Sequence, residues 1–147
     1  MIREATKDDY LSIERHAKRF WEETYFEDDY LDGSALMYMD VALSQGLLFV
    51  AEVDGNIVGF AAGCMSPLMG NSRVMAGTEM AWWVDPEFRD TRCGLGLLKA
   101  LETSSKKQGC KYWSMVAMES SMPKPLQKLY KKMGYTNNEY TFTKRVN

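Results

Sequence analysis

The residues best suited to chemistry fall between Glu79 and Leu101, in the run EMAWWVDPEFRDTRCGLGLLKAL. A strand pattern reaches Asp85-Pro86, a polar stretch with Arg89 and Arg92 follows, and a helix pattern opens through Gly94-Leu95-Gly96. The first N–H groups of a helix have no acceptor within it, and glycines allow close approach, so such a start is a natural phosphate cradle. Two nearby arginines add charge-assisted donors. Taken alone, Gly-x-Gly at a helix start is as often turn chemistry as a binding site. The segment lacks GxxxxGK[ST], which excludes a nucleotide P-loop on sequence. It also follows a late strand instead of opening a βαβ unit, which is poor ground for a dinucleotide fold.

A second group lies in Glu22–Asp32, where acids alternate with aromatics: Glu23, Tyr25, Phe26, Glu27, Asp28, Asp29 and Tyr30. Such a segment could attract a cationic amine, although an exposed acidic loop is the commoner outcome. Charge is uneven along the chain. Residues 1–60 hold 5 Lys+Arg and 13 Asp+Glu, whereas residues 61–147 hold 13 and 7, for a net −2. A balance this close to zero gives no basic footprint for nucleic acid. The asymmetry suits either solvated helix faces or a cationic ligand at one end and an anionic one at the other.

These groups need a scaffold, and apolar periodicity supplies one. Ile2–Ala5 reads as a strand, and Thr6 three residues before Asp9 as a capping-box-like helix start. Tyr10, Ile13, Ala17, Phe20/Trp21 and Thr24 then give an amphipathic helix of about four turns. A second helix is expected from near Ser34 to Gly46. Leu47–Val53 and Ile57–Cys64 flank Asp54-Gly55-Asn56, a strong hairpin signal. Ser66–Ser72 reads as a loop and Val74–Val84 as a long strand. Gly94–Lys107 is a helix with Leu95, Leu98 and Leu101 on one face and Gly109 as its stop. Tyr112–Met118 is a strand. A helix opening at Pro123 and Pro125 carries Leu126, Leu129/Tyr130 and Met133, and Glu139–Arg145 closes the chain as a strand. The order β-α-α-β-β-β-α-β-α-β predicts an α+β fold, one mixed sheet with helices over its faces.

At 147 residues, 46% hydrophobic and 26% charged, the chain has the size and composition of one folded domain. No apolar run approaches the ~20 residues of a membrane span, and no secretory signal opens it, so a cytoplasmic location and no membrane partner are expected. Three cysteines without CxxC spacing argue against a disulfide framework, and a single histidine, His16, leaves no zinc site to build. His16 sits in a polar helical stretch and reads as a surface residue.

Four segments together resemble the GNAT superfamily of N-acetyltransferases over nearly the whole length. IREATKDDYLSI looks like the family's first strand and helix, and VAEVDGNIVGFAAG like its second and third strands. WWVDPEFR…GLGLLKALE is similar to its acetyl-CoA motif, and LQKLYKKMGY to the later helix motif ending LY-x-K-x-GF. The loop departs from the common form. Thr91 stands where Gln or Arg is usual, and the stretch from Arg89 to Gly94 looks two residues longer, a variation resembling that of acetyltransferase-like proteins from bacteriophages.

The resemblance implies a single domain over residues 1–147, with about six or seven mostly antiparallel strands and about four helices. It implies acetyl-CoA as cosubstrate, with the pyrophosphate on the loop Arg89, Thr91, Arg92, Cys93, Gly94, Leu95, Gly96 and Leu97. The pantetheine arm would run along the fourth strand near Trp83 and Val84, with the Val84 N–H as oxyanion donor. It implies transfer to a primary amine of a small molecule or protein by direct attack in a ternary complex. Glu79, among apolar neighbours, would be the base and Tyr130 the acid, although Tyr130 also fits a plain core stripe. Glu23, Tyr25, Phe26, Asp28 and Asp29 fall in the region that shapes the acceptor site. A homodimer is compatible with all of this. A non-catalytic member using the scaffold for protein interaction is the alternative.

Overall fold

The computed structural model describes residues 1–147, which divide into two compact units, 1–116 and 117–147. In the first unit the order is β1 (Ile2–Glu4), a 3-10 turn (Lys7–Asp9), α1 (Tyr10–Glu22), α2 (Leu36–Ser44), β2 (Leu48–Val53), β3 (Asn56–Leu68) and β4 (Asn71–Val84). A second 3-10 turn (Pro86–Phe88), α3 (Cys93–Lys107) and β5 (Cys110–Ser114) complete it. The strands form one sheet in the order β1-β2-β3-β4-β5, antiparallel except for the parallel pair β4-β5. Parallel neighbours need a long crossover, and α3 provides it.

Strand alternation gives the sheet two apolar faces. Leu48, Val50, Phe60, Ala62 and Trp83 meet Ile13 and Ala17 of α1 and Met39 and Ala42 of α2. Leu47, Phe49, Ala51, Val58, Ala61 and Val84 meet Leu97 and Leu101 of α3 on the other. The β2-β3 turn places Asp54 at φ 49° and Gly55 at φ 77°, the left-handed conformations a two-residue hairpin turn demands. The Thr6/Asp9 capping box forms, and Arg3 also forks onto Asp9 at 2.8 Å through each amino group. Those bonds draw the Asp9 carboxyl down to about 2.

Five expectations are corrected. The sheet has five strands, not six or seven. Glu139–Arg145 forms no strand: Tyr140 and Phe142 are 80% and 93% exposed, and strand-forming types need a half-buried pleated surface as well as propensity. The segment read as a loop over Ser66–Ser72 is mostly strand, since β3 runs to Leu68 and β4 starts at Asn71. The strand expected at Tyr112–Met118 begins two residues earlier and ends at Ser114. His16 is also misread as a surface residue. It is 8% exposed, because it lies on the α1 face that carries Ile13 and Ala17. In the second unit, α4 (Pro123–Lys132) starts after Met122 at φ 43° and is followed by Gly134 at φ 91°, with Tyr130 its buried residue.

Candidate active site

The centre of interest is the place where β4 and β5 part. β5 pairs only with Met75–Thr78, so from Glu79 onward β4 has β3 on one side and no strand on the other. The β3-β4 register shifts between Ala62 and Gly63, where Glu79 and Ala81 oppose successive β3 residues and Met80 is the extra one. A bulge at this point re-aims the chain as it leaves β5.

Peptide groups then alternate in direction. The Asp85 N–H donates to Val58 O at 2.9 Å, which makes 58/85 a hydrogen-bonded pair; 59/84 and 61/82 are therefore the non-bonded pairs of the ladder. The Val84 peptide groups thus turn away from β3, towards the open side. Its carbonyl accepts from Arg89 Nε at 2.9 Å there, and its N–H points the same way. Gly59 opposite has no room for a side chain: a Cβ would stand 2.6 Å from the Trp83 carbonyl oxygen.

Glu79 sits at the fork itself, 8% exposed, and accepts a hydrogen bond from the Val116 N–H at 3.0 Å. Burial pushes its carboxyl up to about 7, against the opposing pull of that N–H. A carboxyl at this value exchanges a proton readily near neutral pH.

The connection from β4 to α3 runs through the 3-10 turn and one further turn. Thr91 Oγ1 donates to Phe88 O at 2.6 Å and accepts from the Cys93 N–H at 3.2 Å, so Thr91 organises the loop from inside. The first α3 bond runs from Gly96 N–H to Arg92 O at 2.9 Å. The N-cap residue Arg92 makes no side-chain cap bond, and of the N–H groups at this end the Thr91 hydroxyl serves only that of Cys93. The Gly94 and Leu95 N–H groups, at the second and third positions, have no acceptor within the helix, and Arg92 beside them is exposed. This arrangement fits an anionic group. Gly96 serves packing instead, since a Cβ there would lie 2.7 Å from Ile2 Cγ1. Leu97 is fully buried against the sheet, so only its backbone is near the helix start.

Arg89 is turned back on the protein, bonded to the Val84 carbonyl and to Glu23 Oε1 at 2.9 Å. Trp82 and Trp83 fall on opposite faces, and Trp83 donates from Nε1 to Asp85 Oδ1 at 3.0 Å. Asp85 also pairs with Arg19 at 2.6 Å and lies 3.3 Å from His16 Nε2. Sequence reasoning missed this buried group. Its signal was His16 three residues after Ile13, together with an aspartate between a strand end and Pro86.

In the acidic-aromatic segment, Phe26, Asp28 and Asp29 line a cavity of about 370 Å³ with Lys18, Trp21, Glu22 and Tyr30. Trp21 stacks on Phe26 at 5.2 Å and holds the loop by donating to Asp28 O at 2.7 Å. Glu23 and Tyr25 are not among the lining residues: Glu23 faces Arg89, and Tyr25 packs on Phe26 at 4.4 Å. Lys18 and Trp21 are lining residues that lie outside the segment singled out from the sequence. In the second unit, the buried Tyr130 ring lies 5.7 Å from that of Tyr135.

Comparisons with known proteins agree with this architecture. Over its full length the chain superimposes on the aminoglycoside N-acetyltransferase AAC(6')-Iy in complex with a bisubstrate analogue, with TM-score 0.76, 20% identity and 97% of that chain covered. It superimposes on an acetyltransferase from Clostridium acetobutylicum solved with acetyl-CoA, with TM-score 0.75, 20% identity and coverage of 99% and 96%. A ribosomal-protein-alanine N-acetyltransferase from Brucella melitensis biovar Abortus 2308 gives TM-score 0.70, 18% identity and 99% coverage of both chains. At these identities the likeness is one of fold. No curated protein sequence matches. No helix is long and apolar enough to cross a membrane. The sequence pattern of the Acetyltransferase (GNAT) family matches residues 8–135, and with that match, spanning the open edge of β4 and the uncapped start of α3, the chain belongs to the GNAT acetyltransferase family.

Proposed function

We propose that this protein transfers an acetyl group from acetyl-CoA to a primary amine by direct attack in a ternary complex. The observation that carries the reading is the open side of β4. The Val84 N–H points into it, the Glu79 carboxyl stands at its closed end, and the unpaired Gly94 and Leu95 N–H groups start the helix that follows. The coenzyme's phosphates would rest on the start of α3 beside Arg92, and its arm would extend along the unpaired edge. A single N–H at a developing oxyanion stabilises it strongly in a water-poor cleft.

The amine must lose a proton before it attacks. An alkylamine of pKa ~10.4 is only about 0.1% neutral near pH 7.4, a deficit of roughly 4 kcal/mol. Glu79, raised to about 7, is suited to take that proton, directly or through one water. Tyr130 is assigned the proton return to the departing thiolate on the family resemblance, its phenol being an adequate donor. The cavity at Trp21, Phe26, Asp28 and Asp29 offers aromatic faces and carboxylates to a cationic acceptor.

The test is thiol release from acetyl-CoA over a panel of amines: aminoglycosides, polyamines, amino sugars and peptides with a free N-terminal alanine. Turnover with any of them supports the reading. Coenzyme binding without turnover across the panel would favour a non-catalytic role, and no binding at millimolar acetyl-CoA would remove the coenzyme from the account.

A further inference from the structure

Arg89 follows the 3-10 turn after β4, and its guanidinium meets three groups at once. Nε donates to the Val84 carbonyl at 2.9 Å, Nη2 pairs with Glu23 Oε1 at 2.9 Å, and the guanidinium carbon lies 4.6 Å from the Trp83 ring centre. The side chain is 23% exposed. A guanidinium has its donors in fixed directions within one plane, so these contacts together leave it a single orientation. Glu23 caps the C-terminal end of α1 at the start of the acidic-aromatic segment, next to Glu22 of the proposed acceptor cavity. One side chain therefore ties the last peptide of β4 to the segment that carries that cavity.

The hold falls on the residue that matters most for the proposed chemistry. On the open side Val84 has no strand neighbour, so the carbonyl of the Val84–Asp85 peptide, whose N–H Val58 holds on the other side at 2.9 Å, has no acceptor role to play in the sheet. Arg89 supplies the contact at that carbonyl, and the N–H of the adjoining Trp83–Val84 peptide turns to the same side. To reach a phosphate instead, the guanidinium would have to leave both an ion pair and a carbonyl that are partly shielded from water.

We propose that Arg89 is a positioning residue, anchored by Glu23, that sets the direction of the Val84 N–H, and that it is not a ligand of the coenzyme's phosphates. This rests on the assignment of Val84 as oxyanion donor. A lysine cannot replace it, because one ammonium lacks the planar fork that reaches both oxygens while staying over the Trp83 ring.

The experiment combines calorimetric titration of CoA and acetyl-CoA, steady-state acetyl transfer, and the Val84 amide resonance in the parent, Arg89→Ala, Arg89→Lys, Glu23→Gln and the double variant Arg89→Ala/Glu23→Gln. The expected result for Arg89→Ala is a displaced Val84 amide and a kcat lower by about tenfold to a hundredfold, within the range for a misdirected oxyanion donor. CoA affinity and the KM for acetyl-CoA should stay within about threefold, since no phosphate contact is removed. Arg89→Lys should not rescue kcat. Glu23→Gln should show a smaller loss of the same kind, and the double variant should be no worse than Arg89→Ala, because both act through one contact.

A fall in CoA affinity of about tenfold or more in Arg89→Ala would make Arg89 a phosphate ligand and overturn the proposal. An unmoved Val84 amide, or losses that simply add, would overturn it as well. If the parent neither binds acetyl-CoA nor transfers acetyl, the functional reading fails on its own, and the Val84 resonance in the variants still decides whether Arg89 holds that peptide.

Discussion

Glu79→Gln separates the stability of the fork from its chemistry. The native carboxyl is raised from 4.5 to about 7, chiefly by burial. At 1.36 kcal/mol per pKa unit, that is about 3 kcal/mol of folding free energy forgone once the group must ionise. The sign follows from proton counting. Between about 4.5 and about 7 the native state holds the proton while the unfolded chain releases it, so stability falls as pH rises and levels off above about 7. Glutamine is neutral throughout, keeps the volume, and still offers a carbonyl to the Val116 N–H. The variant should match the parent to within about 1 kcal/mol at pH 5 and exceed it by up to about 3 kcal/mol at pH 8. Urea unfolding at pH 5, 6, 7 and 8 reads the difference directly. Acetyl transfer by the same variant should be lost at every pH. A stability difference that stays flat from pH 5 to 8 would refute the reasoning, because Glu79 would then titrate near its ordinary value.

Three further perturbations probe other parts of the account. Asp9→Asn removes a carboxyl held near 2 by Arg3, whose contribution of about 2 kcal/mol is present above the unfolded value of 3.8 and lost as pH falls through about 2; unfolding curves at pH 7 and pH 2.5 should show the variant's deficit shrinking with acid. Gly77→Ala would set a Cβ 2.6 Å from Trp113 Cζ3 and 3.0 Å from the Cys64 carbonyl oxygen, and should cost about 1–3 kcal/mol and shift the tryptophan emission of the protein; an unchanged spectrum and Tm would deny Trp113 its place over the β3-β4 glycines. Tyr130→Phe should lower kcat while leaving the affinity for acetyl-CoA within about threefold, and unchanged turnover with every accepted amine would take Tyr130 out of the mechanism.

Much of the scaffold was legible because its signals are local. Asp54-Gly55 announced a turn that needs positive φ, Thr6 and Asp9 announced a capped start, and the leucines of α3 kept their spacing. The helix start at Gly94 and the strand before it were also readable, since Pro86 and the glycines punctuate them. The errors came where long-range pairing or helix phase decided the outcome. Glu139–Arg145 has strand-forming residue types, yet no sequence pattern says whether a buried surface awaits them. His16 looked polar in its sequence neighbourhood, and only the phase set by Ile13 and Ala17 turns it inward to Asp85. The site shows the same division. Apolar neighbours foretold the burial of Glu79, whereas the bulge at Met80 and the direction of the Val84 peptide are properties of register. Arg89 carried the right charge for a phosphate site, and its use on Glu23 and the Val84 carbonyl depends on how α1 ends against β4.

The most direct test of the central claim is a titration of acetyl-CoA into isotopically labelled protein, following backbone amide resonances. Saturable shifts at Val84, Gly94 and Leu95, with little movement at amides bonded within the sheet such as Asp85, are the predicted result. Shifts clustered elsewhere, or none at millimolar acetyl-CoA, would contradict the assignment of the open edge of β4 and the start of α3 as the coenzyme site.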